Sequence, residues 1–389
     1  MTKIILTNKY NLDTNQSYTN SNIVVFGDSG SGKSRNVVTP NLLLDNGYSK
    51  IVVDVKGALY DEYNEILKKQ GYNVKKLDLL NLKESESFNF FDYINSEQDA
   101  LKACEILIGS SYQKDPYWDE CSKLLLLSFC LAIYEKFPEH EKNLSSVLEM
   151  ISYLKRDFND PTFKSSIDLY FEEIKKENPN STAVKAYEKF AILNNVDRTF
   201  GCVVSTLNTK LFKFILSDVE RIIENTTIKF EELIEEKSIF FIRLSDVDRS
   251  LDCLAELFIK NAFSYLFNLA DNSKEHKLKR NIQFILDDAS NYYIDNLPDY
   301  LATCRQRGIS IMLLFQSLSQ LKSKYGIYSE DIIGNCHTML FLGSNSLETL
   351  CYMAQRINIP IEKLSKLKRQ TAWVIQKGKS PIWDELCKI

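Results

Sequence analysis

One octapeptide restricts the possible folds of this chain more than any other feature. Gly27-Asp28-Ser29-Gly30-Ser31-Gly32-Lys33-Ser34 satisfies G-x-x-x-x-G-K-[ST] at every fixed position. The run before it, Asn22–Phe26 (NIVVF), has the character of a buried strand, and helical spacing follows through about Leu44. An ordinary tight turn is the plainer reading of a glycine-rich loop. A strand entering it and a helix leaving it favour a phosphate cradle. Successive backbone N–H groups then turn inward, and the helix N-terminus adds positive potential. On this pattern Gly27, Ser29, Gly30, Ser31 and Gly32 are expected to wrap the phosphates of ATP. Lys33 would reach the β- and γ-phosphates, and the Ser34 hydroxyl would bind Mg2+.

Such a loop needs an acid on a neighbouring strand to hold the magnesium. Ile282–Asp288 (IQFILDD) is an apolar strand ending in two carboxylates, so Asp287 is the expected metal partner and Asp288 the group that polarises the attacking water. The alternative is that both acids merely cap a loop. Because 254 positions separate Lys33 from Asp287, an insertion must lie between two halves of one core. Strand runs at 51–55, 74–79, 238–244, 311–316, 338–342 and 372–376 alternate with amphipathic stretches, which implies βαβ units and a parallel sheet. Between 97 and 224 the strand signal fades and helical periods dominate. Asp115-Pro116 opens the longest helix there, Ser146-Val-Leu-Glu149 resembles a capping box, and Thr182–Leu193 and Val203–Leu216 keep helical spacing. The expected fold is therefore α/β: a RecA-like P-loop NTPase with a predominantly parallel sheet, its nucleotide-binding segments at 1–96 and 226–389, and an inserted all-α domain at 97–225.

Other polar residues stand near strand ends. Gln316 closes one strand and could sense the γ-phosphate, or simply bond the next loop. Asp54 and Lys56, at the end of the second strand, point toward the same site. Arg305 and Arg307 lie just ahead of the Ile311 strand. In a ring of copies one of them could offset charge on a neighbour's γ-phosphate, and a plain salt bridge is the alternative.

Composition narrows the rest. With 48 Lys+Arg against 52 Asp+Glu the net charge is −4, which excludes a simple basic nucleic-acid coat; any DNA contact must come from a local patch. Lys274–Arg280 is such a patch, with a solvated loop as its alternative reading. Nine cysteines without a C-x-x-C pair, most in apolar runs (Cys130, Cys253, Cys351), read as reduced core thiols and a cytoplasmic setting. Three dispersed histidines disfavour a zinc centre. No signal peptide is evident, and the longest apolar stretch, Leu124–Tyr134, falls short of a membrane span.

At these residues the chain resembles the type IV secretion coupling proteins, the TraG/TraD-type conjugative DNA-transfer ATPases, especially those of Gram-positive mobile elements. The loop with its trailing Arg35 and Pro40-Asn41 resembles that family's Walker A. Asp54-Val-Lys56-Gly57 resembles its D-P-K-G motif, Ser87-Phe-Asn89-Phe90 its F/Y-N-P-F, and Asp115-Pro-Tyr-Trp118-Asp119 its D-P-F/Y-W-D. Leu286-Asp-Asp-Ala-Ser-Asn291 stands at the Walker B; Cys304–Ser310, Gln316–Leu321 and Ile333–Cys336 follow in family order.

The resemblance implies a hexameric cytoplasmic motor that uses ATP and Mg2+ to pass single-stranded DNA with its relaxase into a type IV secretion channel, with Arg35, Asp54 and Lys56 beside the nucleotide. The chain departs from the family in three respects. N-terminal transmembrane helices are not seen, so membrane contact at the inner face would go through partners. Val55 and Ala58 replace Pro and Glu, and Asp288 replaces the Walker B glutamate. The shorter acid leaves a second expectation open, a nucleotide-binding adaptor with weak or no hydrolysis that recruits a relaxase or secreted protein. A chromosome- or phage-DNA pump is a third.

Overall fold

The structure is a computed structural model that describes residues 3–14, 19–109, 117–157, 159–160, 162–192 and 197–388. Asp115-Pro116 and Leu193 lie outside the described residues.

The strands are β1 (Lys3–Ile5), β2 (Asn11–Asp13), β3 (Ile23–Phe26), β4 (Ser49–Val55), β5 (Asn73–Asp78), β6 (Ser238–Leu244), β7 (Ile282–Leu286), β8 (Ile309–Phe315), β9 (Thr338–Phe341), β10 (Thr371–Gln376) and β11 (Ile382–Glu385). β1 and β2 form an antiparallel pair; the rest form one sheet in the order β11-β10-β9-β3-β8-β7-β4-β6-β5. From β9 to β5 every neighbour is parallel, and β10 and β11 run antiparallel at one edge. The expected mostly parallel α/β core is thus the observed one. β3, β6, β7 and β8 are buried along their whole length, as uninterrupted apolar runs covered on both faces should be. The β1–β2 hairpin and β11 carry too few residues to stand out in the sequence pattern.

Two compact units divide the chain. The first holds residues 1–80, 228–249 and 262–389; the second holds 81–227 and 250–261. The second unit therefore begins before residue 97 and takes in the first half of helix Asp252–Asp271. Its helices include Glu97–Ile108, Tyr117–Lys136, Leu144–Ser152, Ser166–Glu177, Thr182–Ile192 and Asp197–Leu211. An aromatic stack of Phe129, Phe171 and Tyr187 fills part of its core, with Phe171 and Tyr187 centroids 4.0 Å apart, and the Tyr187 hydroxyl donates to Asp168 at 2.7 Å.

Two local expectations need correcting. Helix Leu144–Ser152 is capped by Asn143, whose Oδ1 accepts from Ser146 N at 3.0 Å, so Ser146 sits inside the first turn and Ser146–Glu149 is not the cap. Cys351 is exposed on the solvent side of amphipathic helix Leu347–Ile357, whereas Cys104, Cys121, Cys130 and Cys304 are buried free thiols.

Candidate functional site

Parallel strands deliver all their carboxyl ends to one rim, where an α/β sheet offers its binding crevice. The segments leaving β3, β4, β7 and β8 there enclose a cavity of about 790 Å3. Ser29, Gly30, Gly32, Lys33, Ser34 and Arg35 line it, as do Asp54, Lys56, Asp287, Asp288 and Gln316. Gly27 and Ser31 belong to the same loop.

Gly32 holds φ +96, and a Cβ there would stand 2.5 Å from Asn36 Oδ1, so the loop accepts no side chain at that point. Lys33–Val38 then forms a π-helical turn that passes into α-helix Thr39–Leu43. Such wide turns recur at functional sites. The trailing Asn41 acts locally, where its amide accepts from Ile5 N and donates to Ile5 O, both at 2.8 Å, tying β1 to this helix.

The Lys33 ammonium donates to Gly27 O at 2.6 Å and Asp28 O at 3.3 Å, inside the space its own loop encloses. Burial lowers its pKa, opposed by the charges of Asp288, Asp287 and Asp28. Ser34 Oγ donates to Asp287 Oδ2 at 2.5 Å. Burial pushes Asp287 up to about 6; repulsion from Asp288 adds to this, while the Ser34 bond and Lys33 work against it. Asp288 follows with φ +43, its backbone N–H donating to Asp287 Oδ1 at 3.0 Å. Asp54, one strand away, is also buried and raised to about 6, although Tyr60 N donates to its carboxylate at 2.8 Å. Lys56 is exposed at φ +84 and paired with Asp246 at 3.0 Å. Arg35 is exposed at the mouth, and Gln316 begins the loop after β8.

Asp288 Oδ1 and Ser31 Oγ are buried without a hydrogen-bond partner. Unused polar atoms beside a lysine and a hydroxyl–carboxylate pair fit a nucleotide with Mg2+: Ser34 and Asp287 suit the ion, and Lys33 with the loop N–H groups suits the phosphates.

Arg305 and Arg307 are not brought to this cavity. Both precede β8, so they stand at the opposite rim of the sheet, one strand length away. Arg307 is committed there, with Nε and a terminal nitrogen on the Asp271 carboxylate at 2.7 and 2.8 Å and its plane 4.5 Å from the Phe267 ring. Arg305 is exposed, with no ion pair among the described residues.

Two supports escape a reading of the sequence. Asp28, at a variable position of the loop, accepts from Ser344 Oγ at 3.0 Å and Asn345 N at 2.6 Å, fastening the loop to the segment after β9. Arg243, buried in β6, pairs with Asp78 at 2.5 Å and Asp61 at 2.8 Å, and its guanidinium lies where a Gly57 Cβ would go, 2.3 Å away. The lone cation in the apolar run SIFFIRL is a usable signal, since a buried charge requires a partner. Asp28 offers none.

This fold and this cavity define a P-loop NTPase of the RecA-like type. The chain belongs to the type IV secretory system conjugative DNA transfer family, whose model matches residues 3–366. It is similar to the bacterial conjugative coupling protein TrwBdeltaN70 in its unbound form, at 14% identity and TM-score 0.73 over 99% of this chain and 89% of that one. It is also similar to plasmid coupling protein TrwB in complex with ADP and Mg2+, at 15% identity and TM-score 0.68 over 94% and 85%. VirB4 of Thermoanaerobacter pseudethanolicus follows at 14% and 0.51 over 95% and 90%. At such identities the likeness is one of fold. A comparison with curated proteins finds no match. Among the described residues no helix is long and apolar enough to cross a membrane.

Proposed function

We propose that this chain is an ATP-hydrolysing motor for conjugative transfer, coupling turnover to passage of single-stranded DNA and its relaxase into a type IV secretion channel. The observation that carries this reading is the convergence of Lys33, Ser34, Asp287, Asp288, Asp54 and Gln316 on one cavity at the carboxyl rim of the sheet. Bound Mg2+ would neutralise charge on the phosphates. Ser34 and Asp287 would hold the ion once their mutual hydrogen bond opens. Lys33 would exchange the Gly27 and Asp28 carbonyls for phosphate oxygens, a trade of neutral for charge-assisted bonds. The free carboxylate oxygen of Asp288 would orient water, and Gln316 would meet the terminal phosphate. In a ring of six copies the arginine offered to a neighbour's phosphate is Arg305, because Arg307 is occupied by Asp271. Lys33→Ala is expected to abolish DNA-stimulated ATP turnover; undiminished turnover in that variant overturns the mechanism.

Asp288 itself supports a second reading. It is one methylene shorter than glutamate, and an adaptor that binds nucleotide without turning it over would need no stronger base. Turnover by wild type beside Asp288→Glu, with and without single-stranded DNA, separates the two. A wild type that binds ATP but gains hydrolysis only in the variant is the adaptor.

A further inference from the structure

The opposite rim of the same sheet carries a second polar feature. The segment between helix Asp252–Asp271 and β7 contains Lys274, Lys277, Lys279 and Arg280, and its three lysine side chains form no ion pair among the described residues. They line a cavity of about 930 Å3 beside Asn46, Gly47 and Tyr48, whose wall also carries the carboxylates of Glu235 and Glu275. Lys277 and Asn281 continue into an adjoining cavity of about 370 Å3, where the lining includes Ser21, Arg305, Gln306 and Ser310 and no carboxylate. Ser310 is 4% exposed, and its hydroxyl has no hydrogen-bond partner. Its register partner on β7, Gln283, is 1% exposed with both amide atoms equally unused. In the larger cavity Arg280 keeps one nitrogen on Gly47 O at 3.1 Å and a buried, unpaired Nε. Buried polar groups ordinarily find partners, so hydroxyl and guanidinium donors left idle beneath unpaired cations mark a surface built to receive acceptors.

We propose that this rim is a binding strip for the phosphodiester backbone of single-stranded nucleic acid, with Lys277, Lys279 and Lys274 gripping successive phosphates and the Ser310 hydroxyl donating to one of them. The cations are spread along two joined cavities and do not converge on a point, which suits a chain of singly charged phosphates better than one terminal phosphate. A chain of net charge −4 can still bind a polyanion there, because affinity follows local phosphate contacts. The strip also has a direct link to the nucleotide. β7 and β8 begin at this rim and end at Asp287 and Gln316, so two fully buried strands, roughly 20 Å long at ~3.3 Å per residue, join the two sites. The inference rests on the DNA-motor reading and gives it a location.

The test uses the full chain and a fluorescent oligo(dT) probe titrated at several salt concentrations, with Lys277→Ala/Lys279→Ala beside wild type and a Lys→Arg pair as the conservative control. Each lost contact to a single strand removes about 0.7 from the slope of log affinity against log salt. The double variant should therefore lose about 1.4 in slope and bind about 25-fold more weakly near 0.1 M salt. The arginine pair should keep the wild-type slope, and Mg-ADP affinity should be equal in all three. A double variant that matches a DNA-binding wild type in slope and affinity overturns the strip alone. A wild type that binds no oligo(dT) overturns the motor reading, and the strip with it.

Discussion

Replacing Asp287 by asparagine should set stability against function, since the buried charge costs stability and the proposed ion contact needs it. The carboxyl is 5% exposed and stands at about 6, against 3.8 when unconstrained, mainly because burial disfavours its charge. A carboxyl raised in the folded state binds its proton more tightly there than in the unfolded chain. Its contribution to stability is complete below about pH 4 and is lost as pH rises through 6. The gap of about two pH units corresponds to roughly 3 kcal/mol of destabilisation at neutral pH. Asparagine keeps an oxygen for the Asp288 N–H and turns the other position into an amide nitrogen that can donate to Ser34 Oγ, and it carries no charge. Lys33 still faces Asp288 and Asp28. Asp287→Asn should therefore exceed wild type by about 3 kcal/mol in urea unfolding near pH 8, with the advantage fading toward pH 4. The same variant should lose the increment in ADP affinity that Mg2+ confers on wild type, read by calorimetric titration with and without the ion. A variant no more stable than wild type at high pH, or an advantage independent of pH, refutes the burial argument. Retention of the magnesium increment refutes the assignment of Asp287 to the ion.

Two further substitutions test the supports. Gly57→Ala should destabilise by about 3–5 kcal/mol, because the new methyl drives Arg243 from its buried pair with Asp78 and must also adopt φ +77; a loss under about 1 kcal/mol in chemical denaturation speaks against it. Asp28→Ala should weaken ADP binding about tenfold by freeing the loop from Ser344 and Asn345, with little change in global stability, whereas Asp28→Asn should recover part of the loss. Wild-type nucleotide affinity in both variants would mean that the tether does not shape the loop.

Much of the core is legible in the sequence because its information is local. The octapeptide, the apolar runs of β3 to β10 and the acid pair after β7 each announce themselves within a few residues, and the long gap between Lys33 and Asp287 already requires an insertion. The start of Leu144–Ser152 is ambiguous because Asn143 and Ser146 are both competent caps, and sequence does not say which one leaves helical geometry. Cys351 reads as a core thiol because its neighbours are apolar, while its own position on the helix faces solvent.

The amino acids alone marked β3 to β10 as strands, put a glycine-rich loop of phosphate-binding pattern after the first of them, and singled out a lysine, a hydroxyl and an aspartate that line one cavity. Only the tertiary structure decided what stands beside what. Strand order brings Asp54 next to Asp287, carries Arg243 under Gly57, and sends Arg305 and Arg307 to the rim away from the cavity. The reason is that hydrophobic periodicity encodes which face of a segment is buried. Neighbour and rim follow from how parallel strands pack and point, which depends on residues far apart in the chain.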